Sequence, residues 1–304
     1  MKHTFKITIA LVLFFFLAQF TGLLVVNYYI DHKKTIETKK IVMKPLPYGL
    51  ERPEVENQSY SFIYITAAIL IGTILVLLLA KFNKPMIWKI WFFATVWLTL
   101  SIAFAAFFSS VTAAAIALFL AILKIYKPDM IIQNISEIFI YGGLAAIFVP
   151  ILNIFAAFML LIVISVYDYL SVYKTRHMIS LAKFQSKAKV FAGLSIPYGK
   201  GKINAKETIK PGLKKMPKKT EAQRIAVLGG GDIGFALIFA GVVMKGLMLK
   251  ETVLTGFLKT LIIPVIASLA LLFLLIRGQE NKFYPAMPIL SIGCFLGYLV
   301  VLMV

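Results

Sequence analysis

The sequence predicts an all-α integral membrane protein, a bundle of about nine transmembrane helices, and three observations carry that prediction. First, 60% of the 304 residues are apolar and only 15% are charged, with a mean hydropathy of +0.89. A soluble globule is roughly half apolar and a quarter charged, so the excess apolar surface must face lipid. Second, the apolar residues gather into runs near the length of about 20 residues that a helix needs to cross a bilayer. Third, the basic residues, 32 against 13 acids, collect between the runs rather than within them.

The first run, 7–30, follows a short basic start at Lys2 and Lys6. It is longer than the core of a signal peptide and no small-x-small cleavage site follows, so it reads as a retained helix. Runs 61–80 and 86–107 come next, then two short ones at 109–123 and 131–148. Run 152–173 begins just after Pro150, and runs 225–244, 253–276 and 283–304 complete the series. The chain thus divides into residues 1–173 with six spans, a basic segment 174–224, and residues 225–304 with three spans.

Orientation follows from Lys and Arg in the connecting segments. With the N-terminus inside, the inner segments hold 22 of the 32 basic residues, including Lys124 and 14 across 174–224. The outer segments hold nine, Lys245 among them, and six of those nine are offset by five acids in 31–58. The expected topology is N-in, C-out.

Segment 174–224 carries most of the charge, with only Phe184, Phe191 and Tyr198 as aromatics. Attraction to anionic lipid headgroups explains this better than nucleic acid, which is not expected as a partner. Its first part, 178–194, spaces Ile179, Leu181, Phe184, Ala188, Phe191 and Leu194 among lysines, as in an amphipathic helix on the inner membrane surface. Glycines and prolines beyond it break any long element, so the remainder is expected to be mobile. The single cysteine, Cys294, excludes an intrachain disulfide, and the three histidines all lie outside the apolar runs. With no HExxH and no Cys/His cluster, metal-dependent hydrolysis is disfavoured.

Ten of the 13 acids lie in connecting segments; only Glu137, Asp168 and Asp232 fall within apolar runs. A carboxylate at that depth is costly unless it is neutralised, paired or hydrated, which makes intramembrane acids functional candidates. No Lys, Arg or His lies within the sixth or seventh run to pair with Asp168 or Asp232. Counted along helices from Lys174 and Arg224, both aspartates lie roughly 9–12 Å below the inner surface. On consecutive antiparallel helices they can meet. Two carboxylates in contact cannot both ionise and share a proton, so one can activate water while the other protonates a scissile carbonyl or leaving amine. Glu137 lies at a similar depth, among Gln133, Asn134 and Ser136, and reads as a hydrogen-bonded or hydrated structural acid.

The contexts of the aspartates are Val163-Ile164-Ser165-Val166-Tyr167-Asp168 and Gly229-Gly230-Gly231-Asp232, and the last run opens with Pro285-Ala286-Met287. Together these resemble the Tyr-Asp, Gly-x-Gly-Asp and Pro-Ala-Leu motifs of the presenilin and signal peptide peptidase family of intramembrane aspartyl proteases. Their order, in the sixth, seventh and ninth of nine runs, is similar too, and Met287 stands where the family has Leu. The resemblance implies an endopeptidase acting on transmembrane-helix substrates, with Asp168 and Asp232 catalytic. It further implies that Tyr167, Gly229, Gly231, Pro285, Ala286 and Met287 contact substrate, with no metal or organic cofactor. The archaeal presenilin-type members are similar in length, which implies the plasma membrane of an archaeon; nothing in the sequence fixes an oligomeric state.

The residues also have roles of their own. Gly229 and Gly231 remove side chains beside Asp232 and permit close approach. Tyr167 offers an aromatic wall and a hydroxyl beside Asp168. Pro285 and Pro288 disturb the start of a helix and leave backbone groups that need partners. Two rivals remain at this point: a prepilin-type aspartyl peptidase, and an ion or proton transporter that binds its ion at buried acids. Against the first, Ile233-Gly234-Phe235 follows the GxGD motif where prepilin peptidases place a basic residue nearby.

Overall fold

Side-chain caps begin several of the bundle's helices. The computed structural model describes residues 5–175, 181, 184–185, 188, 190–198, 224–278 and 284–304. Ser109, Asp129, Asn153 and Thr252 each accept a backbone N–H at the start of a helix. These residue types satisfy donors that the first turn leaves orphaned, which matters most where no water reaches. They start α5 (Ser110–Tyr126), α6 (Met130–Phe148), α7 (Ile154–Tyr173) and α9 (Val253–Thr260). Before them come α1 (Phe5–Tyr29), α2 (His32–Thr38), α3 (Ser61–Lys81) and α4 (Pro85–Phe104). Among the described residues, seven helical stretches are long and apolar enough to cross a membrane, the last of them the nearly continuous Val253–Arg277. Two apolar helices of 17 residues accompany them: α5, and α11 (Met287–Met303).

α1 buries Leu11, Phe15, Ala18, Leu23 and Val26 and packs against α6, against α8 (Gly230–Leu247) and against α10 (Ile262–Arg277). Its contact with α6 is close because Gly142 faces the Gly22 backbone; a Cβ on Gly142 would stand 3.2 Å from the Gly22 Cα. Small residues at such a crossing let dispersion forces, rather than the hydrophobic effect, hold helices together in lipid. α3 is different: only 6% of its most apolar stretch is buried, so most of this helix faces outward.

Run 225–244 differs from expectation. Its first residues form β2 (Arg224–Gly229), which pairs antiparallel with β1 (Gly193–Tyr198), and the helix begins only at Gly230. Three successive glycines, each about 1 kcal/mol poorer in a helix than alanine, sit where the expected helix would have continued. The extended stretch before them carries the β-branched Ile225 and Val227, which suit a strand. Run 253–276 is likewise divided, with a turn at Leu261 between α9 and α10. Pro264 supplies no N–H to the carbonyl four residues back, so the helix is interrupted there.

Two lysines assigned to connecting segments lie in the bundle instead. Lys124 is within α5 and buried, because that helix runs three residues past the apolar run. Lys245 is buried near the end of α8, where its ammonium donates to the carbonyls of Val149, Pro150 and Leu152. Those carbonyls lie where Pro150 interrupts regular bonding, so lysine supplies the missing donors. Of the helix expected over 178–194, Leu181, Phe184, Gln185 and Ala188 are helical, and Phe184 and Ala188 are buried. Ala188 and Val190 cluster with Ile125, against Trp88, Phe92 and Phe93 of α4. Gly193 and Leu194 belong to β1, not to a helix; Gly193 has φ +139°, a conformation open to glycine alone. Of the remainder expected to be mobile, 195–198 and Arg224 belong to β1 and β2, and 199–223 lie outside the described residues.

Candidate active site

α7, α8 and α11 pack on one another around an aromatic cluster. Phe158 of α7 lies 5.1 Å from Phe239 of α8 and stacks at 4.8 Å on Phe295 of α11, with Tyr298 at 5.3 Å. Asp168 follows Phe158 by ten residues, and Asp232 precedes Phe239 by seven. In antiparallel helices these offsets put both aspartates at the same end of the cluster. Asp168 is among the groups that act electrostatically on Asp232, and both are half-buried. Among the described residues, the ion pairs are Lys34–Asp31, Lys124–Glu137 and Lys259–Glu251, and neither aspartate takes part in them.

Backbone N–H groups serve the aspartates instead. The Met287 N–H donates to Asp168 Oδ2 at 3.1 Å, and the Ala286 N–H also reaches this carboxylate. Pro285 and Pro288 flank these two donors, and their place at the very start of α11 leaves both N–H groups without an acceptor in their own helix, so they serve Asp168 of α7. Ser291, one turn further on, meets Ser165 of α7 at 2.7 Å and fixes the spacing of the two helices.

Asp232 is held by its own helix start. Gly229 is the N-cap of α8 and has no side chain to cap with; Asp232, three residues on, reaches back to the Gly229 N–H. This is half of a capping box, which fixes the carboxylate at the mouth of the helix where the dipole favours negative charge. The depth expected for Asp232 from an unbroken helix starting at Arg224 is therefore wrong in its premise, because 224–229 is extended at about 3.3 Å per residue.

The other expected site residues divide. Tyr167 is half-buried and its hydroxyl donates to Thr73 Oγ1 of α3 at 3.2 Å, so it ties α7 to the loosely packed helix. A Cβ on Gly229 would stand 3.0 Å from Asp232 Oδ2, whereas Gly231 has ordinary room. The tight position is Gly230, where a Cβ would stand 2.5 Å from the Tyr141 hydroxyl. Tyr141, not singled out from the sequence, rises from α6 beside the glycine turn and donates to Glu137 Oε2. Glu137 is paired to Lys124 at 2.6 Å, with side-chain exposures of 2% and 1%. Gln19 of α1 also escapes the sequence reading; its Nε2 donates to the Ile233 carbonyl at 2.8 Å, next to Asp232. The signal for both Gln19 and Lys124 is a polar residue inside, or at the edge of, an apolar run.

β1 and β2 lead directly into this site. Ser195 exchanges both its backbone bonds with the Asn134 side chain, at 2.9 Å each, so it faces away from β2. In an antiparallel ladder its partner Val227 must then face away from β1. Val227 is exposed, two residues before Gly229.

The comparisons with known proteins give the family and the fold. The family model for signal-peptide peptidase, presenilin aspartyl protease matches residues 46–304. No curated protein sequence matches the chain. Two solved structures of a presenilin family intramembrane aspartate protease, in C222 and P2 space groups, share the fold. Each is 18% identical, with TM-scores of 0.62 and 0.61; the matches cover 97% of this chain and 98% and 96% of theirs. Neither a prepilin-type peptidase nor a transporter is favoured by these matches. By its sequence over most of its length and by its fold, the chain belongs to the signal-peptide peptidase and presenilin family and is a multi-pass intramembrane aspartyl protease.

Proposed function

We propose that Asp168 and Asp232 are the catalytic pair, hydrolysing a peptide bond within the transmembrane helix of a substrate protein. The observation that carries this reading is a pair of carboxylates on packed helices, served by backbone N–H groups and by no lysine or arginine among the described residues. One ionised carboxylate takes a proton from water as the oxygen attacks the scissile carbonyl carbon; the other, protonated, donates to the carbonyl oxygen. Collapse of the tetrahedral species breaks the C–N bond as a proton passes to the leaving amine. Two acids and one water suffice, without metal or cofactor.

A helical peptide bond must first be unwound, and the extended segment then needs partners for its backbone. The outward-facing Val227 edge of β2 offers them, and the stretch Pro285-Ala286-Met287, whose two N–H groups serve Asp168, bounds the substrate path on the α11 side. Gly229 and Gly231 keep the approach to Asp232 open, and Tyr167 bounds the α3 side. The weak packing of α3 leaves a cavity of about 340 Å³ lined by Thr73, Trp88, Trp91 and Thr95, which supports lateral access from lipid beside Tyr167. We further infer an N-in, C-out topology of nine spans. The excess of inner basic residues keeps its direction when Lys124 and Lys245 are removed from the count. Segment 174–224 then meets anionic headgroups, in the plasma membrane of an archaeon.

The test is reconstitution in liposomes with a labelled transmembrane peptide. Cleavage is expected, blocked by aspartyl transition-state analogues and abolished by Asp168→Ala or Asp232→Ala. Ion flux without cleavage, or cleavage that survives either substitution, would overturn the assignment.

A further inference from the structure

A two-stranded sheet has two edges, and here they are treated differently. On the β1 edge, α6 takes the place of a third strand. Asn134 Oδ1 accepts the Ser195 N–H and Asn134 Nδ2 donates to the Ser195 carbonyl, both at 2.9 Å, which reproduces the pair of bonds a neighbouring strand would make. One position before it, Gln133 Nε2 donates to the carbonyls of Phe191 and Gly193, also at 2.9 Å. The outward carbonyl of Gly193 and both outward groups of Ser195 are thus engaged. The phase is consistent across the ladder, since the Gly230 N–H donates inward to the Ala192 carbonyl at 3.3 Å.

Gln133 is itself held. Its Oε1 accepts from Lys124 Nζ at 2.7 Å, and its Nε2 lies 3.0 Å from Glu137 Oε1. The buried Lys124–Glu137 pair therefore orients the amide that grips β1. A chain of contacts runs from a rigid helix through β1 to β2, and β2 continues without a break into the Asp232 turn.

We propose that Gln133 and Asn134 are positioning residues of the proteolytic reaction. They close the β1 edge, leave β2 as the template for substrate, and fix the register in which a substrate strand meets the aspartates. The proposal rests on the reading that substrate pairs with β2. Its physical content is that register is weakly specified in short strands bounded by glycine, and both ends of the pair Gly193–Gly229 are glycine. Alternation supplies the only other control: Leu194, Ala226 and Leu228 are buried while Val227 is exposed. A displacement by one residue would reverse those faces, whereas a displacement by two keeps them. Loosening β1 should therefore move cleavage in steps of two residues.

The experiment measures KM, kcat and product masses for the reconstituted protein with one transmembrane peptide. Gln133→Ala/Asn134→Ala is expected to raise KM about tenfold, the scale of one or two lost hydrogen bonds. kcat should change much less, and new products should appear from cuts two residues from the principal bond. Asn134→Asp keeps the acceptor for the Ser195 N–H but not the donor; it should shift KM and products the same way, to a smaller extent. That isosteric change decides the matter if the double variant has no thermal transition. An unchanged product pattern overturns the proposal, whether KM stays as in the wild type or only kcat and Tm fall. Cleavage persisting in a parallel Asp168→Ala sample would instead overturn the catalytic assignment beneath it.

Discussion

Glu137 and Asp232 stand on either side of one tyrosine, and their surroundings are opposite. Glu137 is 1% exposed, bonded to Lys124, Gln133 and Tyr141. Asp232 is half-buried, bonded to the N–H of Gly229, and lies within the electrostatic reach of a second carboxylate, Asp168. Tyr141 donates to the first acid while its hydroxyl abuts Gly230 beside the second. An intramembrane acid with a cationic partner is a strut; removing that partner leaves a charge that lipid cannot solvate. An acid satisfied by backbone N–H groups alone keeps its capacity to exchange a proton. Depth does not separate the two kinds. The partner does.

The comparison predicts opposite outcomes for substitution. Asp232→Asn should lower cleavage by about a thousandfold or more while Tm hardly moves, the loss expected when one member of an acid–base pair is removed. Glu137→Gln should do the reverse. It leaves the buried Lys124 uncompensated, at a cost of about 3–5 kcal/mol read as a lower Tm, while the folded fraction retains substantial cleavage. A stable but inactive Glu137→Gln would break the distinction.

Smaller effects sharpen it. Lys124→Met/Glu137→Leu removes both charges, and its Tm should lie well above that of Glu137→Gln, since a matched apolar pair often costs little. Gly230→Ala puts a methyl group against the Tyr141 hydroxyl and should cost about 1–3 kcal/mol, read as lost Tm or cleavage. Adding Tyr141→Phe should restore part of that loss; no restoration would mean that Gly230 is constrained by something else. Ser291→Ala, which removes the hydroxyl pair with Ser165 between α7 and α11, should lower stability by only about 1 kcal/mol.

Much of the site is legible in the sequence. Asp168 and Asp232 stand out because charge is scarce in apolar runs, and the two prolines mark the place where free N–H groups occur. The donors are those of Ala286 and Met287, and they serve Asp168. The glycine motif reads as close packing within a helix near Asp232. In the fold, Gly229 instead ends a strand, and the crowded glycine is Gly230. A single pattern of apolar residues cannot separate a buried strand from the first turn of a buried helix, because both appear as an unbroken apolar run. Only the pairing of β2 with β1, some thirty residues away, decides between them.

The sequence by itself determined the class of molecule, the positions of most of its helices, and the acids available for chemistry. These are local matters of hydropathy, capping and the cost of charge in lipid. Tertiary structure alone decided which acid received the lysine, which strand edge was closed by Asn134, and which N–H groups turned toward Asp168. Each of these joins residues from different elements, and periodicity along one element gives no account of which face its neighbour will present.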